Sequence, residues 1–266
     1  MQPLFPSLTA ALLYGLAGLY QANRLHARQA PNKRLLLGLG MLALLAHLIS
    51  LPGHLVSAEG LNLDFFNAGS LIAACIIMMG VLCCVTQPLE NLLVLLFPIG
   101  LVTVLLAQFI PEGQGLVIPE SQGLLLHILL SVMAYGLLSI AMLQSLLLLI
   151  QDRQLKLKHP SGIIRNFPPL QTMEQLLFAM LWCGWLLLTA ALVSGWMFVD
   201  DLFAQHVAHK TFLSLLAWLV FAALLWGRHY LGWRGNKAIR LTLAGFVLLM
   251  LAYFGSKLVR EFILHI

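Results

Sequence analysis

Eight apolar runs, each near the ~20 residues that a helix needs to cross a hydrocarbon core, fill almost the whole chain. They cover roughly residues 4–22, 35–56, 67–86, 91–109, 124–150, 175–199, 211–228 and 240–260. With only 9% of residues charged and 61% hydrophobic, the chain lies far outside soluble composition. The expected fold is therefore all-α: a polytopic membrane bundle of eight transmembrane helices, with residues 1–266 forming a single integral membrane domain.

The connections between the runs alternate in charge, and this sets an expected orientation. Arg24, Arg28, Lys33 and Arg34 lie in the first connection, Arg153, Lys156, Lys158 and Arg165 in the fifth, and Arg228, Arg234, Lys237 and Arg240 in the seventh. These are 12 of the 15 cations, whereas the opposite side holds Lys210, Lys257 and Arg260 with Glu59, Asp64, Glu112, Glu120, Asp200, Asp201 and Glu261. The positive-inside rule then places both termini on the outer side of the membrane, which is the periplasmic side where that membrane is a bacterial inner membrane. The net charge of +5 reflects this loop bias and gives no reason to invoke nucleic acid. Met1 to Pro6 lacks a basic n-region, so the first run is expected to stay as a helix. Cys75, Cys83, Cys84 and Cys183 fall inside predicted helices without a C-x-x-C-H spacing, so neither disulfides nor covalent haem attachment is expected.

Six of the nine histidines, His47, His54, His127, His206, His209 and His265, fall on the predicted outer side. His47 and His127 sit within apolar runs, where an imidazole loses its hydration and must find a hydrogen-bond partner, a metal or a cofactor. His47 and His54 are seven residues apart and share a helix face about 10 Å apart. Ser131 and Tyr135 follow His127 at i+4 and i+8, drawing a polar line that points to the bundle interior. For His127 alone, a ligand and an interhelical hydrogen bond are equally good readings. Asp200, Asp201, His206, His209 and Lys210 crowd an outer loop whose spacing matches no zinc signature, so a hydrated loop is the first reading there. Gly15, Gly18, Gly38 and Gly40 read as packing positions. The connection from Asp152 to Glu174 carries His159-Pro160-Ser161-Gly162 and Pro168-Pro169, and reads as an irregular basic linker beside lipid or a soluble partner.

Leu125 to Tyr135, Leu-Leu-His-Ile-Leu-Leu-Ser-Val-Met-Ala-Tyr, resembles the CcsA-type cytochrome c assembly helix that carries an outer haem-ligating histidine. Lys210-Thr211, Trp218-Leu219-Val220-Phe221, Gly232-Trp233-Arg234-Gly235 and Ala252-Tyr253-Phe254-Gly255 occur in the same order and at nearly the same spacing as in that family. The resemblance covers residue 124 to the C-terminus and is closest to the HemX/YpjD branch of the CcsA/CcmC-like superfamily.

The resemblance implies haem b as the cofactor. His127 matches the family's first outer histidine, and His265 falls within about one residue of the second. The family's inner histidine corresponds to Trp226, with His229 one turn further on, which argues against an inner haem site. The tryptophan-rich outer segment that presents haem to an apocytochrome is reduced, within Val193 to Lys210, to Trp196. The expectation is a chain that binds haem without attaching it. His127 is the first ligand and His47 the second, with His209, His265 and His54 as rivals; Lys210, Lys257 and Arg260 could meet the propionates or act as helix-end anchors. No catalytic set is evident, so an enzyme is not expected. The alternatives are a regulatory or scaffold protein of haem synthesis with a partner on the basic loops, and a metal- or proton-coupled transporter.

Overall fold

The computed structural model describes residues 3–27, 29–57, 60–110, 117–118, 122–157, 168–198 and 205–255. Eight helices appear in chain order: α1 Leu4–His26, α2 Lys33–Leu55, α3 Phe65–Thr86, α4 Glu90–Phe109, α5 Gln122–Lys156, α6 Leu170–Phe198, α7 Gln205–Leu231 and α8 Asn236–Met250, the last continued by a π-helical turn, Leu251–Gly255. Within the described residues each expected apolar run falls on one helix. By Cα packing the chain divides into two compact units, Met1–Pro119 with Gln154–Pro168, and Glu120–Arg153 with Pro169–Ile266.

Among the described residues seven helices are long and apolar enough to cross a membrane, and α1 is not one of them although it has 23 residues. α1 carries polar groups along its length and keeps three of them inside the unit. Ser7, Tyr14 and Gln21 recur every seventh residue, and all three are fully buried inside the first unit, while Leu8, Leu12, Leu16 and Leu19 are exposed. Polar residues inside and leucines outside suit a helix whose solvent is lipid, but the same residues dilute its apolar character.

In the first unit, α1 packs on α2 and α4, and α3 on α2 and α4. Asn32 caps α2 by accepting from the Arg34 and Leu35 amides, and Asp64 caps α3 by accepting from the Asn67 amide at 2.7 Å. Of the four glycines read as packing positions, Gly40 meets Phe97, where an added Cβ would lie 2.8 Å from Cζ, whereas Gly38 faces nothing within 4 Å. At one end of the unit Lys33 pairs with Glu90 at 2.7 Å and the Gln21 amide donates to the Glu90 carbonyl.

At the other end the α2–α3 and α4–α5 connections are not wholly irregular. A three-stranded antiparallel sheet, β1 Val56–Ser57, β2 Gly60–Asn62 and β3 Val117–Ile118, pairs Val56 with Leu61 and Leu61 with Ile118. Two adjacent connections satisfy each other's backbone donors and acceptors in this way, a long-range pairing that helix periodicity does not signal.

In the second unit α6 packs on α7, and α7 on α8 and the π-helical turn. The Gln144 amide donates to the Met173 carbonyl at 3.2 Å, tying α5 to α6. Trp218 of α7 donates its indole N–H to Thr189 of α6 at 2.8 Å and stacks on Trp185. With 35 residues α5 reaches ~50 Å, well beyond a ~30 Å hydrocarbon core. Part of the connection expected to be irregular is therefore helical, since residues 152–156 end α5 and 170–174 open α6. His159 and Arg165 lie outside the described residues.

Candidate functional site

His127 stands on α5 with α6 beside it. Its Nδ1 lies 2.9 Å from the Ala191 carbonyl oxygen and 3.2 Å from Ser194 Oγ. A carbonyl oxygen only accepts, so Nδ1 must carry the proton, and in the neutral ring the lone pair then sits on Nε2. Ser194 donates its own hydroxyl to the same carbonyl at 2.9 Å, so towards His127 its oxygen is an acceptor. Gly195 completes the seat: a Cβ there would lie 2.9 Å from His127 Cε1 and 3.2 Å from Nδ1, so the ring occupies space that only glycine leaves.

Ala191, Ser194 and Gly195 fall at i, i+3 and i+4 and form one face of α6. Their signal in the sequence is a set of small residues within an apolar helix, which does not by itself single out a histidine seat. A neutral imidazole with its tautomer fixed by a carbonyl and its plane fixed by packing is the usual state of a histidine that ligates a metal. The same bonds also join two helices.

The polar line along α5 does face the interior of the second unit, and it meets more than one neighbour. Ser131 is half-buried. The Tyr135 ring packs among Phe246, Tyr253 and Phe254, with ring centroids 5.5, 6.4 and 5.9 Å away. Tyr253 and Phe254 belong to the π-helical turn, so that motif supplies the aromatic wall beside α5.

His47 is fully buried in the first unit, and the structure gives it two partners. Its Nδ1 lies 3.3 Å from the Tyr14 hydroxyl of α1, and its Nε2 2.9 Å from Ser70 Oγ of α3. Of the partners that an imidazole in an apolar run can take, His47 has hydrogen bonds: both nitrogens are used to join three helices, because each neighbouring helix offers one hydroxyl at its level. His54 lies on the same face of α2, its Nε2 3.4 Å from Ser7 Oγ and its carbonyl accepting from the Asn67 side-chain Nδ2 at 3.1 Å.

His206 and His209 lie within α7, so the segment read as a loop is helical from Gln205 onward. His127 and His209 belong to the second unit and His47 to the first. His265, Lys257, Arg260, Asp200 and Asp201 lie outside the described residues. Among the described residues no three His, Cys, Asp or Glu side chains converge as a metal site.

A stack of long apolar helices with buried polar seams, one of which fixes a single imidazole with its Nε2 as the lone-pair nitrogen, defines a multi-pass membrane protein with a candidate ligand histidine. The chain belongs to the cytochrome c assembly protein family, whose model matches residues 36–264. The match begins well before residue 124, so it also takes in α2 to α4. The chain is 33% identical over 225 residues to inner membrane protein YpjD of Escherichia coli (strain K12), covering 84% of this chain and 85% of that protein. It is 32% identical over 198 residues to an uncharacterized 28.8 kDa protein of Azospirillum brasilense, covering 73% of each. Cytochrome c biogenesis protein CcsA of Chlamydomonas reinhardtii is 28% identical over 138 residues, which is 51% of this chain and 38% of that protein.

Proposed function

We propose that this chain is a haem b-binding protein of the bacterial inner membrane that acts in cytochrome c assembly or haem handling and holds haem without attaching it. In this reading residues 1–266 form one membrane domain, α1 crosses with the other seven helices, and both termini face outward. The observation that carries it is the seat of His127: Nδ1 donating to the Ala191 carbonyl, Gly195 against the ring, and Nε2 left with the lone pair that iron requires. Haem bound there would supply an iron centre with an imidazole on one side. Lys210, adjacent to His209 on α7, is the cation we assign to a propionate.

His209 is our choice of second ligand, because α7 packs on α6 and His209 lies near the end of α7 that follows α6. His265 is the alternative from the family resemblance. His47 ligates only if it gives up Tyr14 or Ser70, and we rank it third.

The test is to purify the protein from haem-replete cells and record the Soret band. Wild type is expected to be coloured with a low-spin spectrum, His127→Ala to lose the band, and His209→Ala to become high-spin. A colourless wild type that keeps its helical circular dichroism and melting transition overturns the proposal.

A further inference from the structure

The second unit carries, at the end opposite the α6–α7 connection, a charge cluster that the haem reading does not use. Glu174, at the start of α6, is 5% exposed and receives two guanidinium groups. Arg228 Nη1 donates to its Oε1 at 2.8 Å, while Arg234 donates from Nε to Oε1 at 3.0 Å and from Nη2 to Oε2 at 3.3 Å. The Arg228 guanidinium also lies 4.6 Å above the Phe178 ring. The turn between α7 and α8 is locked onto this pair. The Trp233 amide donates to the Gly227 carbonyl at 3.1 Å, and the Trp233 ring occupies the space where a Cβ of residue 227 would stand. Gly232 and Gly235 turn the chain with φ of +65° and +54°.

One carboxylate cannot balance what surrounds it. Arg228, Arg234, Lys237 and Arg240 bring four positive charges to this turn against the single charge of Glu174. Arg234 remains 54% exposed, Lys237 and Arg240 are exposed, and Lys237 Nζ is held 4.7 Å above the Trp233 ring. On the adjoining turn of α7, Trp226 and Tyr230 are 57% and 69% exposed and pack together at 5.6 Å, a pair of amphipathic rings of the kind enriched at headgroup level in membrane proteins.

We propose that the α7–α8 turn is a binding site for the headgroup of an anionic phospholipid of the adjacent leaflet. Arg234, Lys237 and Arg240 meet the phosphate, Trp226 and Tyr230 lie along the glycerol and upper acyl region, and the Glu174 clamp holds the turn in place beforehand. A phospholipid fits better than a free anion because exposed cations on the turn are joined in the chain to an exposed aromatic pair on the last turns of α7.

The experiment uses the full chain in neutral detergent, with native mass spectrometry and thermal melting in the presence of dioleoylphosphatidylglycerol or dioleoylphosphatidylcholine. Wild type is expected to retain phosphatidylglycerol preferentially and to melt higher with it. Lys237→Gln with Arg240→Gln, neither of which pairs with Glu174, is expected to weaken that retention roughly 30-fold while lowering melting without lipid only slightly, through loss of the Lys237–Trp233 contact. Arg234→Gln alone is expected to weaken it as well. Equal retention of the two lipids by wild type, wild-type retention by the double variant, or displacement of phosphatidylglycerol by inorganic phosphate at constant ionic strength overturns the proposal.

Discussion

Gly195→Ala tests whether the His127 seat is the functional site. The new methyl would sit 2.9 Å from Cε1, 3.2 Å from Nδ1 and 3.7 Å from Nε2. Carbon atoms in ordinary contact stand about 3.5–4.0 Å apart, so the ring must retreat by roughly 0.6–1 Å. The bond from Nδ1 to the Ala191 carbonyl begins at 2.9 Å, so such a retreat takes it beyond about 3.5 Å, where a hydrogen bond no longer exists. Loss of that bond costs about 1 kcal/mol and overpacking about 1–3 kcal/mol, together on the order of 2–4 kcal/mol of stability. Displacing the group that orients a ligand histidine weakens metal binding by about 10–100-fold.

The assay is a haem titration of the purified variant, followed at the Soret band, with melting measured in parallel. Gly38→Ala is the control, because nothing lies within 4 Å of a Cβ there. If Gly195→Ala binds haem with wild-type affinity and an unshifted Soret band, the seat does not hold the ligand and the proposed function loses its main support. If affinity falls with Gly38→Ala as well, the effect is a general response to added bulk.

Other substitutions test the two units separately. Tyr14→Phe and Ser70→Ala each remove one hydroxyl from the fully buried His47, and each is expected to lower stability by about 1–3 kcal/mol with the Soret spectrum unchanged; loss of haem in either variant would restore His47 as a ligand. Glu174→Gln leaves Arg228 and Arg234 without their counter-charge but still partly in solvent, and is expected to cost about 1–3 kcal/mol, seen as a lower melting temperature and faster proteolysis of the α7–α8 turn. Trp218→Phe keeps the stacking on Trp185 but loses the 2.8 Å bond to Thr189, for a loss of about 1 kcal/mol.

Much of the helical layout is readable from the chain because its signal is local. Each apolar run forms its own backbone hydrogen bonds along its length, so the eight runs mark the eight helices within a few residues. Boundaries were missed where helices continue past the apolar core: α5 to Lys156, α6 from Leu170 and α7 from Gln205. Charged and polar residues there resemble loop composition, yet the backbone simply continues its i to i−4 bonds into water. The small sheet was missed because Leu61 and Ile118 meet only after α3 and α4 have packed.

The sequence by itself determined that the chain is a membrane bundle of this family and that His47 and His127 are the imidazoles requiring partners in an apolar medium. Only the tertiary structure decided which partners they obtained. His47 received hydroxyls from Tyr14 and Ser70, and His127 received a carbonyl, a serine and a glycine face from α6. Periodicity places a residue on a face of its own helix, whereas the atom opposite depends on the rotation and depth of a neighbouring helix. Those are set by how small and large side chains interlock across the interface. That interlock separates a histidine tied up between hydroxyls from one held with Nε2 as its lone-pair nitrogen, and it likewise turned Glu174, which read as the edge of a loop, into the counter-charge of two arginines.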